Sequence, residues 1–369
     1  MTAKPSQPLH KTFETFLSER RYETGNLPGN LSYKSRTVER GRMIKVPPAV
    51  TLTHQPFRHV DHLEFMNVSE VQDFVHHWQV NLHMVTQRCG MMYGYYMEDP
   101  NYEGGYRAVV EGIYEPPQHC IDDSPVVDPK DDFQPAVETI ASALGLERIG
   151  FIFTSLGRHS DHLMTSKEVI RAAKMQIGSE TNAHYTKYVM SKFVTCVTHP
   201  NLKDGVQPET DAFMVSDQLC GMVRDRLVDN NESEQTDPKR VKLRKPLPGE
   251  LHPEVLAAGK SASTEFDPDW FVVKVNSGAP VRPKSFFVHS HFPRENRNGA
   301  PQLRSDIKRY LAKCSSSEPN WSKLSDFHLL LFLARIFDVD TAKVICEGVR
   351  DRKPISDHLF DMVEAAGNS

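Results

Sequence analysis

Val288-His289-Ser290-His291-Phe292-Pro293 is the stretch of this sequence most able to do chemistry. A His-x-His pair at a strand end, with a proline close behind, is how one class of zinc proteases presents two metal ligands. That class also needs a serine and an aspartate at fixed distances downstream. Gly299 and Gln302 stand there instead, and neither supplies the carboxylate that such a zinc site requires. A metal-dependent hydrolase built on His289 and His291 is therefore the rival reading, and two strand-end histidines beside a turn the plain one. His159-Ser160-Asp161-His162 offers two imidazoles and a carboxylate, but in a polar loop with no third ligand nearby, so it reads as surface. His76 and His77 diverge by ~100° on a helix and cannot share a metal. His83 follows on that face too far from His76 to chelate with it. The six cysteines, Cys89, Cys120, Cys196, Cys220, Cys314 and Cys346, are scattered with no CxxC pair. That spacing excludes a four-cysteine zinc ribbon and argues against a disulfide scaffold. No GxSxG, P-loop, GxGxxG or HExxH motif occurs.

These residues must be positioned by an irregular alternation of helices and strands. The spacing predicts a short helix over Lys11–Arg20. Ser69-x-x-Gln72 reads as a capping box opening a helix with Val71, Phe74, Val75, Trp78, Leu82 and Val85 on one face. Strands follow at Gly90–Tyr96 and Tyr106–Tyr114, the latter stopped by Glu115-Pro116-Pro117. A helix fits Phe133–Leu144 with Gly145 as its stop, then a strand over Ile149–Ser155. Thr165 or Ser166 caps a helix through Ile177. Strands at Phe193–Thr198 and Ala212–Val215 precede a helix capped by Ser216. Asp229–Asp237 has no periodicity and reads as a linker. Beyond it we expect strands at Trp270–Val275 and Ser285–His289, and helices over 305–314, 325–337 and 341–351, with a frayed end. Hairpin-like neighbours among the strands favour an α+β fold with a mixed sheet over a doubly wound parallel one.

Composition bounds the partners. The 369 residues carry 44 Lys and Arg against 48 Asp and Glu, so no basic excess points to nucleic acid. The longest strongly apolar run, Leu329–Ala334, is far short of the ~18 residues of a membrane span. The start shows no apolar core of a secretory signal. Lys239, Arg240, Lys242, Arg244 and Lys245 form a basic run beside an acidic stretch. It reads either as a nuclear import signal or as a solvated strand edge. Leu324–Leu333, apolar all round, reads as a buried helix.

Ten short blocks occur in one order along the chain. They are Arg58-His-Val-Asp61, Ile113-Tyr-Glu-Pro-Pro-Gln118, Leu144-Gly-Leu146, Ile149-Gly-Phe-Ile-Phe-Thr154, Ser191-Lys-Phe-Val-Thr195, Val215-Ser-Asp-Gln218, Met222-Val-Arg-Asp225, Pro246-Leu-Pro248, Phe292-Pro-Arg-Glu-Asn-Arg297 and Ser325–Leu333. Each alone is weak; together, over residues 50–335, the chain resembles the nuclear protein localization protein 4 family, ubiquitin-binding cofactors of the valosin-containing AAA ATPase. The resemblance implies an MPN-type domain, the fold of JAMM metalloproteases, over 57–230. It implies a polar arm over 1–56 that is the remnant of a zinc-finger region, a linker at 231–240, a smaller α+β C-terminal domain over 241–355 and a tail over 356–369. Pro47-Pro-Ala-Val-Thr-Leu52 matches the end of the family's zinc-finger region, yet residues 1–46 hold no cysteine. The family's leading ubiquitin-like domain and its C-terminal zinc knuckle are not seen.

Carried over residue by residue, the JAMM general base falls on Gln87, the metal-binding His-x-His on Phe153 and Ser155, and the Ser-x-x-Asp pair on Thr165 and Glu168. The Gln amide does not titrate near neutrality and cannot act as a base. Phe offers no ligand atom, so zinc chemistry, which needs about three protein ligands, is not expected. The resemblance implies a non-enzyme without a cofactor. It implies an adaptor for ubiquitin chains and a ubiquitin fusion degradation protein 1-like partner, delivering substrates to the AAA unfoldase in proteasomal or ER-associated degradation. Direct docking on the ATPase is not expected, because the modules that perform it in the family are not seen. The implied location is cytoplasm and nucleus, and the periphery of the ER membrane. Phe153 is a candidate lining residue for a peptide or ubiquitin groove in the vacated cleft, with core packing as the plain alternative. A JAMM-class isopeptidase, or a scaffold that has lost ubiquitin binding, are the competing functions.

Overall fold

The computed structural model describes residues 10–39, 41–156, 162–181, 184–201, 207–232, 235–257 and 262–368. Seven strands close into a barrel: β1 (His62–Phe65), β2 (Cys89–Glu98), β3 (Tyr106–Tyr114), β4 (Glu147–Thr154), β5 (Val194–Asn201), β6 (Gln207–Val215) and β7 (Val272–Gly278). Around the barrel the order is β4-β5-β6-β7-β1-β3-β2. The β4–β5, β7–β1 and β1–β3 pairs are parallel and the other four antiparallel. This is the mixed α+β sheet that the irregular alternation predicts.

Alternation along the strands sorts the side chains. Val110, Ile152, Cys196, Met214 and Val275 share one buried cluster with Leu63 and Phe65. Tyr93, Phe151, Phe153, Val197 and Phe213 belong to a second cluster, shared with the helices that pack on the barrel. Register slips beside Gly94 on β2 and before Gly150 on β4. A Cβ at either glycine would collide with a backbone carbonyl of the neighbouring strand, Val109 or Val194. Bulges of this kind let a sheet curl shut.

The helices of seven residues or more lie in chain order as α1 (Phe13–Glu19), α2 (Val68–His76), α3 (Gln134–Ala143), α4 (Ser166–Gly178), α5 (Asp217–Arg224), α6 (Arg304–Leu311), α7 (Phe327–Ile336), α8 (Val339–Asp351) and α9 (Asp357–Asn368). Helix α7 is buried on nearly every side, as an all-round apolar helix must be. None of the described helices is long and apolar enough to cross a membrane.

Four expectations need correction. Ser69 does not open a capping box: α2 starts at Val68 without a side-chain cap, and a π-helical stretch, His77–Asn81, continues it. Ser285–His289 forms no strand, because its amides bond to side chains and to α7's leading turn: Phe286 N to Glu111, Val288 N to Ser325 Oγ and His289 N to Ser325 O. The tail is not frayed, since α9 buries Phe360, Val363 and Ala366. The stretch around residues 231–240 is no free tether where described: Gln235 is fully buried and its side chain bonds Asp229 O and the backbone of Lys242. Strand β7, from beyond that stretch, is an integral barrel stave.

Candidate functional site

Of the five positions carried over from the JAMM pattern, Ser155, Thr165 and Glu168 bond one another, while Gln87 bonds Thr154 and Phe153 packs into the core. Strand β4 ends at Thr154, whose hydroxyl donates to Gln87 Oε1 at 2.8 Å and accepts from Arg88 N at 2.9 Å. Next along the chain, Ser155 Oγ donates to Glu168 Oε1 at 2.6 Å. Thr165 is the N-cap of α4, with its hydroxyl accepting from Glu168 N and its own N–H donating to Glu168 Oε2 at 2.8 Å. Thr165-x-x-Glu168 is thus a capping box. Both Glu168 oxygens are already bonded, and all five residues except Thr165 are buried. Phe153 is 2% exposed and packs 5.7 Å from Phe151, with the Arg171 guanidinium beyond its ring. Its aromatic surface is used up in the core, so it lines no groove. A depression of about 270 Å³ is lined by Phe153's neighbour Phe151 and by Pro125, Val126, Val127, Arg171 and Met175, among others.

His289 and His291 do not converge on a metal. His289 Nε2 bonds Glu318 at 2.9 Å, while the His291 ring stacks on Tyr310 at 4.5 Å. His77 is buried with Arg297 and Arg88 nearby, and burial followed by those cations lowers its pKa; His76 is exposed. His159, Ser160 and Asp161 lie outside the described residues. Among the described residues, the group of three donors that could surround a cation is His162, Asp267 and Asp269. It is partly exposed and separate from the JAMM-derived positions.

The basic run is partly committed. Arg244 makes a two-pronged ion pair with Glu250, at 2.9 and 2.7 Å, and donates to Arg226 O. Lys242 sits on a short strand paired with Glu265. Lys239, Arg240 and Lys245 are exposed.

Sequence reasoning missed a belt of buried charge that ties the barrel to the segment preceding α6. Glu115, at the end of β3, takes Arg88 on one oxygen at 2.6 Å and Arg297 on the other at 2.5 Å. Burial alone would raise its pKa, but Arg297 and Arg88 outweigh that and hold it down. Deeper in, His328 on α7 is fully buried between Glu70, at 2.8 Å from Nε2, and Glu295, at 2.8 Å from Nδ1. Arg294 reaches the other Glu70 oxygen at 2.8 Å. Burial and Arg294 both oppose a charged imidazole, yet Glu295 and Glu70 prevail and raise His328 to about 9. Glu70 is held at about 2 against burial by Arg294 and His328. The sequence offered no signal for this belt: Pro293-Arg-Glu-Asn-Arg297 is four polar residues without periodicity behind a proline, which reads as an exposed loop.

The NPL4 family matches over residues 88–367. A second region of that family, described as zinc binding, matches over 43–81. "Nuclear protein localization protein 4" of Saccharomyces cerevisiae is 31% identical, covering 87% of this chain and 60% of the relative. The protein of that name from Lodderomyces elongisporus is 30% identical over 87% of this chain and 57% of its own length. The Drosophila melanogaster homolog is 31% identical over 86% and 50%. The chain thus spans between half and three-fifths of these relatives' length. A family match across three-quarters of the chain, joined to these identities, places the protein: it belongs to the NPL4 family.

Proposed function

We propose that this chain is a non-catalytic adaptor. In this reading it binds ubiquitin chains and, with a ubiquitin fusion degradation protein 1-like partner, delivers ubiquitinated proteins to an AAA unfoldase for proteasomal or ER-associated degradation. Its barrel and α4 would be an MPN-type domain whose protease chemistry is gone. The observation carrying the reading is the closed set Gln87–Thr154 and Ser155–Glu168–Thr165 with Phe153 sealed beside it. A zinc hydrolase needs about three ligands and an open coordination position in that place. Here the hydrogen-bonding capacity is consumed internally and an aromatic ring stands where an imidazole would. The names of the relatives, which speak of nuclear protein localization and of no enzymatic activity, support the same direction.

Binding of single folded ubiquitins would be weak and strengthened by chain length through effective concentration. An unfolded segment would need a strand edge and apolar pockets; the half-buried hairpin Gln118–Ile121/Ser124–Val127 and its neighbour Met175 are candidates for both. Calorimetry with the purified chain, ubiquitin chains, the fusion-degradation partner and the ATPase tests the proposal. The expected result is binding to ubiquitin chains and the partner, with the ATPase engaged only when the partner bridges. No binding to either would sink the adaptor and leave a scaffold. Cleavage of an isopeptide bond with bound zinc would establish the isopeptidase instead.

A further inference from the structure

The stretch that matches the family's zinc-binding region, residues 43–81, does not contain the donors for such a site. The first cysteine of the chain is Cys89. Five histidines remain, and the structure commits them to different places. His54 stacks on Trp270 at 4.2 Å. His59 spends Nε2 on Asp217, at 2.9 and 3.0 Å from its two oxygens. Its Nδ1 is buried without a partner, but the ring is boxed by Phe13 and Phe57, with centroids at 4.7 and 5.4 Å. That orphan nitrogen therefore faces hydrocarbon, where a zinc ion would find one ligand instead of four. His62 lies towards Asp99, His76 faces solvent, and His77 lies near two guanidiniums. Among the described residues, no three donors of this stretch converge.

Something else must fix an irregular segment to the barrel, and the hydrogen bonds identify it. Gln218 on α5 reads the backbone of the segment as a neighbouring strand would: Thr53 N donates to its Oε1 at 3.2 Å, and its Nε2 donates to Thr51 O at 2.9 Å. Gln55 reciprocates from the segment, accepting from Asp217 N at 2.8 Å and donating to Phe57 O at 3.0 Å. Asp217, in the first turn of α5, is favoured there by the helix's positive end. It collects His59 and, at 2.7 Å, the Tyr188 hydroxyl, which itself accepts from Gly29 N. Val50–Leu52 completes the attachment by pairing in parallel with Val255–Ala257.

We propose that the segment Val50–Asp61 is locked onto the barrel by a metal-independent clamp of Gln55, Gln218 and Asp217. The Gln55 contacts close two buried backbone groups, Asp217 N and Phe57 O, and the Gln218 contacts two part-buried ones, Thr53 N and Thr51 O. The clamp also gathers three distant pieces, the segment around Gly29, the loop at Tyr188 and α5, onto one carboxylate.

Hydrogen exchange of the full chain, read by mass spectrometry on peptides spanning Val50–Arg58, tests this. Wild type is measured as purified, after dialysis against a strong zinc chelator, and after adding zinc back. The expectation is unchanged exchange in all three states. Gln218→Ala should speed exchange of this segment by roughly ten- to thirtyfold, the loss of two hydrogen bonds' worth of local closure. Gln218→Glu keeps the acceptor for Thr53 N but loses the donor to Thr51 O, so it should fall in between. Unchanged exchange across β5 and β6 in both variants certifies an intact barrel. If Gln218→Ala disrupts the barrel, Gln218→Glu alone carries the comparison. Chelator-induced loss of protection at Val50–Arg58, restored by zinc, would overturn the proposal. So would wild-type exchange of the segment in both Gln218 variants.

Discussion

Replacing His328 by glutamine should remove a pH-dependent share of stability that the buried belt confers. The imidazole rises from 6.5 to about 9 on folding. A raised folded pKa means that the charged form is favoured in the native state. The contribution is therefore complete below pH ~6.5 and disappears as pH climbs through ~9. At about 1.4 kcal/mol per unit this amounts to ~3 kcal/mol near pH 6, ~2 near pH 7.5 and close to zero above pH ~9.5. Glu70 mirrors the same attraction, its folded pKa lowered to about 2. That contribution is present above pH ~4.5 and lost as pH falls through ~2; because it is one interaction seen from two sides, it is counted once. Glu111, raised by burial to about 7, carries a cost that builds as pH climbs from ~4.5 to ~7 and persists above it; subtracting the variant from wild type cancels it. Urea unfolding followed by tryptophan fluorescence at pH 6, 7.5 and 9.5 is the assay. The gap between wild type and His328→Gln should be widest, ~3–5 kcal/mol, at the lowest of these, since two buried carboxylates then lose a cation. It should narrow by ~3 kcal/mol at the highest. A gap independent of pH would mean that His328 is neutral in the fold, and would refute the charged-belt account.

Phe153→Ala should cost ~3–5 kcal/mol in the same unfolding assay, as for a core aromatic. It should leave the affinity for ubiquitin chains unchanged at a temperature where the variant is folded; selective loss of binding would return the ring to a groove. Elemental analysis of the purified chain should find no zinc dependent on His289 or on Gln87, Ser155 and Glu168, and about one zinc per chain lost on His289→Ala would contradict this. If Lys239–Lys245 assists nuclear entry, Lys239/Arg240/Lys242→Ala should shift a fluorescent fusion to the cytoplasm; an unchanged distribution would make the run a solvated face. Truncation after Lys353 should destabilise α6, because α9 packs against it with Gly367 close to Ile307; circular dichroism and proteolysis of the shortened chain would show it.

Local chemistry made much of this fold readable. Thr165-x-x-Glu168 caps α4 because hydroxyl and carboxylate satisfy each other's backbone amides. Gly145 ends the α3 region with φ +77°, a conformation open to glycine. The short, largely apolar runs of β2, β3, β4 and β6 announce strands. Non-local pairing hid the rest. Strand β1 is four residues long and finds parallel partners in β3 and β7, which no short window reveals. Ser285–His289 has strand-like composition, but Glu111 and Ser325 take its amides. Residues 357–368 show apolar side chains at Phe360, Val363 and Ala366, too sparse a stripe to outweigh the expectation that a terminus frays. Of the site, Gln87, Phe153, Ser155, Thr165 and Glu168 were placed by the family resemblance, and the structure bonds Ser155, Glu168 and Thr165 to one another and Gln87 to Thr154. The belt of Glu70, Glu115, Arg294, Glu295, Arg297 and His328 was invisible as such, since charged residues read as surface until their partners, more than 200 positions away for Glu70 and Arg294, fold onto them.

The placement of β7 between β6 and β1 carries a consequence for biosynthesis. A nascent chain holding β1 to β6 has two open rims, and the stave that joins them emerges about 60 residues after β6 ends. At ~5–20 residues per second, the partly built sheet waits on the order of 3–12 s with both edges unpaired. Such edges invite pairing with another chain. A ribosome stalled between residues 215 and 272 would leave an aggregation-prone product, whereas one stalled soon after residue 278 would release a barrel already able to close. The vulnerable interval of this protein is thus set by topology, and chaperone capture of its nascent chains should be concentrated there.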